Sequence, residues 1–226
     1  MDSYETVHTI YYYAVKFALV CLSVNVVFCF VYRKKLNTPF RRLFYFLILN
    51  LIIEILAFTF MQFKQNNLPL LHLYTLGEFI LFSYFYMSLI NKPALIKNAF
   101  RYFVIGGCLL ILLNSIFLQS IYTFNTFAKT AVQVTIIAYA VLYFYNLVEN
   151  SSFSTAVSKS LRLVNSAILI YYSGSLFIFM YGKFSLINVE GYVVFWAFNA
   201  ILNFIFQLLI LLGLWKAFFR KKTLSP

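Results

Sequence analysis

A run of about twenty residues with no polar face can be buried only in hydrocarbon, and this chain contains seven such runs. They fall at about 10–32, 41–62, 70–90, 102–119, 126–147, 162–181 and 191–215. The stretches from Ala14 to Tyr32 and from Ala200 to Trp215 are almost continuously apolar, whereas a helix on a water-soluble core keeps a polar face. Composition agrees. Of 226 residues, 63% are hydrophobic and 11% charged, far from the roughly 45–50% and about 25% of soluble domains. The expected fold is an all-α integral membrane protein, a single seven-transmembrane-helix bundle over residues 1–226, and a soluble α/β fold is excluded.

The formal charge of +12 is distributed along the chain in a pattern that sets topology. Arg33, Lys34, Lys35, Arg41 and Arg42 follow the first run; Lys92, Lys97 and Arg101 follow the third; Lys159 and Arg162 follow the fifth; Lys216, Arg220, Lys221 and Lys222 follow the seventh. The alternate connections carry only Lys64, Lys129 and Lys183, and Lys16 is counted as the one cation inside a span. The positive-inside rule then predicts the N-terminus outside and the C-terminus cytoplasmic. Read this way, the cations are topology determinants, and nucleic acid is not an expected partner. The expected partners are the lipid bilayer, an unidentified small ligand, and a cytoplasmic or membrane signalling partner at the basic inner loops. The opening MDSYETVHTI lacks a basic n-region, so the first helix is expected to be retained. The connections are short, and an appended catalytic domain is not expected. Abundant Lys, Asn, Ile, Phe and Tyr with little Ala or Gly suggest an AT-rich bacterial genome, and hence the bacterial inner membrane.

A carboxylate in an apolar span costs roughly 2.5–3.5 kcal/mol on insertion scales, so it is expected to face the bundle interior. Glu54 and Glu78 are the two such groups, on the antiparallel hairpin from Arg41 to Lys92. With the topology above, Lys16, Asn50, Glu54, His72, Tyr74, Glu78, Asn114, Gln133, Asn199 and Asn203 lie at or beyond the midplane toward the outer side, and they form the candidate ligand-binding set. Asn50 with Glu54, and Tyr74 with Glu78, share helical faces at i, i+4; Asn199, Asn203 and Gln207 continue one at steps of four. Lys16 either neutralises one of the glutamates or snorkels to the outer interface. The competing reading is that these polar groups simply hold helices together by interhelical hydrogen bonds.

Other chemistry finds little support. There are two histidines and no HExxH, so no metal site is expected. Cys21, Cys29 and Cys108 lie in apolar runs without paired spacing. YYSGS at 171–175 reads as small-residue packing, and the last run has no lysine before Lys216 to hold a retinal. No catalytic residue and no cofactor is expected. A weak internal repeat pairs the units beginning at Arg42-Leu43 and Arg162-Leu163, in which Glu78 falls close to the place of Asn199. The expected function is a receptor- or sensor-like subunit with an outward-facing polar pocket, acting through a separate partner. The alternative is a small-solute or proton-coupled transporter with Glu54 or Glu78 as the titrating group.

Overall fold

A computed structural model describes residues 3–89, 94–149, 156–185 and 189–219. Within them are seven long helices: α1 (Ser3–Val31), α2 (Thr38–Gln62), α3 (Leu68–Met87), α4 (Ala94–Leu113), α5 (Thr126–Glu149), α6 (Ala156–Ser185) and α7 (Val189–Phe219). All seven are long and apolar enough to cross a membrane. The chain is an integral membrane protein, and the helices overlap the expected runs but differ at their ends, most in α4, which begins at Ala94 rather than about 102 and passes into the π-helical turn after Leu113.

Helices consecutive in the chain run antiparallel, whereas α1 and α7 pack side by side in parallel, Phe17 on Phe204 and Phe28 on Phe218. Asn37 caps α2 by accepting from the Phe40 amide, with Pro39 in the first turn. The α2–α3 turn closes with Gln65 N–H donating to Phe60 C=O across Lys64, whose φ is 54°, a left-handed residue at a helix end. α4 ends in a π-helical turn (Asn114–Leu118), with Gln119 N–H donating to Asn114 C=O.

Six helices close into a ring in the order α1, α2, α3, α5, α6, α7, and α4 packs outside it against α3. One end of the bundle is basic. Arg33, Lys34, Lys35, Arg41, Lys97, Arg101, Lys159 and Lys216 are exposed there, and the basic residues expected at 92 and 220–222 lie outside the described residues. The bundle half toward this end is filled with large side chains: Phe40, Phe46, Leu47, Phe82, Phe85, Tyr86, Phe206, Ile210 and Leu214 are all buried.

Glycine decides how closely α4 approaches. A Cβ on Gly107 would overlap the Phe79 ring, whereas one on Gly106 would meet nothing. The two adjacent glycines therefore give a controlled comparison. Gly107→Ala should destabilise the detergent-solubilised protein by about 1–3 kcal/mol, the usual cost of overpacking, read as a lower melting temperature. Gly106→Ala should be neutral or slightly stabilising, since it only improves helix propensity.

Candidate functional site: a buried ion pair in a polar layer

Lys129 lies one turn into α5, among residues that the charge pattern assigned to a loop. Its side chain is 1% exposed and donates to Glu78 Oε2 at 2.6 Å, and Glu78 is itself fully buried. Tyr172 of α6 donates its hydroxyl to the other carboxylate oxygen at 2.7 Å. One carboxylate thus joins α3, α5 and α6 with both oxygens engaged. The ammonium is also boxed by aromatic faces, 4.6 Å from the Tyr74 ring centroid and 4.9 Å from that of Phe179. Such cation–π contacts strengthen where water is excluded.

This corrects the expectation that Lys16 neutralises a glutamate. Lys16 is exposed on the outside of α1, where it donates to the Tyr12 hydroxyl and sits over the Tyr12 ring. A lysine with a free path along its own helix reaches the membrane boundary; Lys129, facing the ring interior, has none. Lys129 was legible in principle. It lies within the fifth apolar run, four residues before Gln133, on a face that must turn inward if Gln133 does.

The remaining candidates separate into two groups. His72 and Asn114 brace a connection. The His72 ring nitrogens meet Ser115 Oγ at 2.8 Å and Thr123 C=O at 3.1 Å. Asn114 donates to Asn125 Oδ1 and Gln119 Oε1, and Gln119 Oε1 also accepts from the Phe127 amide. Together these bonds knit the α4–α5 connection and hold Phe124 inward. Phe124, Phe179 and Trp196 then cluster with centroids 6.0–6.2 Å apart, forming an aromatic cap over Lys129.

Asn50, Glu54, Tyr74, Glu78, Gln133, Asn199 and Asn203 form the second group, a polar layer between that cap and an aromatic floor. The floor is fixed by Phe46 of α2 against Phe82 of α3 at 4.4 Å and against Phe206 of α7 at 6.3 Å, with Tyr171 of α6 on Phe206 at 5.0 Å. Asn50 and Glu54 continue the Phe46 face one and two turns away from the basic end, opposite the exposed Ile52, Ile55 and Thr59. Asn203 and Asn199 continue the Phe206 face in the same direction, since α7 runs antiparallel to α2. Gln133 donates to Ser175 at 2.9 Å, joining α5 to α6.

Gln207 is fully buried, as its place in the stripe predicts, but it turns toward α1. Each step of four residues turns about 40° beyond a full helical turn, so the third member rotates away from the first. Gln207 accepts from Asn25 Nδ2 at 3.1 Å and bridges α7 to α1. Asn165, which the sequence reading passed over, accepts from the Tyr86 hydroxyl at 2.7 Å and donates to Ala140 C=O, tying α6 to α3 and α5 nearer the basic end.

Comparison with protein-family models, with curated proteins and with solved structures finds no match for this chain.

Breaking a buried pair by removing one partner costs about 3–5 kcal/mol, while replacing both with apolar groups of similar volume is often neutral or better. Glu78→Gln and Lys129→Met should each lower the melting temperature strongly in detergent, and Glu78→Leu with Lys129→Met should recover most of the loss. A double variant as unstable as the sum of the singles would contradict a direct pair.

Proposed function

We propose that the protein is a receptor- or sensor-like membrane subunit, in which the polar layer meets a small ligand from outside the cell. In this reading the basic end lies at the cytoplasmic face of a bacterial inner membrane and passes the signal to a separate partner. No catalytic step is assigned to it. The observation that supports the reading is where buried charge lies: the Glu78–Lys129 ion pair is on the far side of the Phe46, Phe82 and Phe206 floor from the basic end, whereas Asn25, Asn165 and Gln207, buried nearer that end, are uncharged and bonded between neighbouring helices. A sensor needs access from one side only. A carrier needs a second opening, and therefore a polar route through the opposite half that a solute can reach.

The Glu78, Lys129 and Tyr172 cluster supplies a two-state element for such a sensor. A buried ion pair is either closed and satisfied or broken at high cost, so a ligand competing for either partner would shift α3 against α5 and α6 in a discrete step. The basic ends of these helices would carry that step to the partner. Glu54 favours the second reading, a proton-coupled transporter, because no cation among the described residues pairs with it. In that case Glu54, rather than the already paired Glu78, is the titrating group.

Sidedness separates the two. In a background lacking Cys21, Cys29 and Cys108, Asn203→Cys should react with a membrane-impermeant maleimide added from the side of the α2–α3 turn. It should stay protected from the basic side under every condition. Labelling from both sides, in proportions that change with pH or a proton gradient, would overturn the sensor reading in favour of transport.

A further inference from the structure

The turn between α1 and α2 concentrates positive charge that no carboxylate answers. Five cations fall within the ten residues from Arg33 to Arg42, with no Asp or Glu among them. Arg42 is engaged within the bundle: it donates to Tyr84 C=O near the end of α3 and lies over the Tyr84 ring. Arg33, Lys34, Lys35 and Arg41 are exposed, and none of them has an ion pair among the described residues. Arg41 reaches the Leu36 carbonyl at 3.4 Å.

The backbone that carries these cations is held in place. Arg33–Lys35 form a short 3-10 turn in which Lys35 N–H donates to Tyr32 C=O at 2.8 Å, and Leu36 and Phe40 just after it are buried. Tyr32 packs on Phe28 at 4.9 Å and on Phe218 of α7 at 5.2 Å. The side chains then fold back toward hydrocarbon. The Arg33 guanidinium lies over the Phe30 ring, 4.4 Å from its centroid, and Phe30 is 57% exposed on the outer face of α1, as Val27 and Val31 are. Lys35 sits over the Tyr32 ring at 5.9 Å. A cation resting on a lipid-facing ring at the end of a span lies at headgroup level, with its stem on apolar surface and its charge at the edge of the hydrocarbon.

We propose that the α1–α2 turn is a docking site for anionic phospholipid, with Arg33, Lys34, Lys35 and Arg41 receiving phosphate headgroups that carry no ammonium of their own. Charge complementarity supports it. Clusters of roughly four or more Lys and Arg at the membrane end of a helix attract anionic leaflets, each cation being worth about fivefold in lipid partition. Contact with Phe30 occupies the face of the Arg33 guanidinium and leaves its N–H edge, which meets phosphate oxygens two at a time. An acidic protein segment is the poorer fit, because it approaches from water, whereas Arg33 is folded back along the lipid-facing side of α1. The inference goes beyond the sensor reading and does not rest on it, since a carrier with the same turn would hold the same lipid.

The test is native mass spectrometry of the full chain in detergent, offered equal amounts of phosphatidylglycerol and phosphatidylcholine, which counts the lipids that stay bound. The protein should retain phosphatidylglycerol with a preference of about tenfold or more, and that preference should fall as salt rises. Arg33→Gln should reduce it about fivefold, and Arg33→Gln, Lys34→Gln, Lys35→Gln and Arg41→Gln together should abolish it. Lys159→Gln, at another exposed cation of the basic end, should leave it unchanged. Melting temperatures show whether each variant is folded, and the single Arg33→Gln decides the matter if the fourfold variant is not. No headgroup preference, or one that Lys159→Gln lowers as much as Arg33→Gln, overturns the proposal and leaves the turn as a topology determinant in a diffuse field. Binding of a polyglutamate peptide that Arg33→Gln abolishes, with no phosphatidylglycerol preference, also overturns it and assigns the turn to an acidic protein partner.

Discussion

The structure depends on an ammonium held where water cannot reach it. Lys129 enters the bundle one turn from the start of α5, at an end of its helix from which a lysine could snorkel outward. It points inward to Glu78 instead. Desolvating two charges is costly, and their attraction offsets that cost only when the remaining valences are met. Tyr172 meets one, and the rings of Tyr74 and Phe179 meet the rest. The pair therefore fixes the relative positions of α3, α5 and α6 more narrowly than apolar packing would, because sliding any one of them strands a charge.

The rest of the interior is arranged around that point. On one side, Phe124, Phe179 and Trp196 close over Lys129, and Phe124 is held there by the hydrogen bonds of Asn114, Gln119 and Asn125 around the π-helical turn. On the other, Phe46, Phe82 and Phe206 make a floor. Hydrogen bonds nearer the basic end, such as Tyr86 to Asn165 and Asn25 to Gln207, join pairs of helices across close contacts. Polar groups thus serve two purposes in one bundle: bracing helices where they meet each other directly, and neutralising the buried charge of Glu78 and Lys129.

Much of this arrangement was legible in the residues. Seven apolar runs and alternating basic connections determine the helices and their antiparallel order, because hydropathy over a span is a sum that tolerates local error. Periodicity placed Asn50 with Glu54 and Tyr74 with Glu78 on inward faces. It also placed Gln207 inside the bundle, where a rotation of about 40° per step turns it toward Asn25 of α1. Pairing was not legible. Lys129 resembles an ordinary loop cation because it sits beside a helix start, and only the packing of α3 and α6 against α5 shows that it has no route out. Lys16 made the opposite impression, deep in a run yet on the outer face of α1, where Tyr12 is its partner among the described residues. The roles of His72 and Asn114 were hidden for a similar reason: their partners, Thr123 and Asn125, belong to a connection whose shape no periodicity encodes.

The central claim is that Lys129 abandons the membrane boundary for Glu78. Solid-state NMR of the protein in bilayers, with nitrogen-labelled lysine and carbon-labelled glutamate, measures that contact directly. A strong dipolar coupling between Lys129 Nζ and Glu78 Cδ, lost in Glu78→Gln, is the predicted result. Coupling of Lys129 Nζ to lipid phosphorus, with none to Glu78, would show a lysine that snorkels to the surface and would contradict the account.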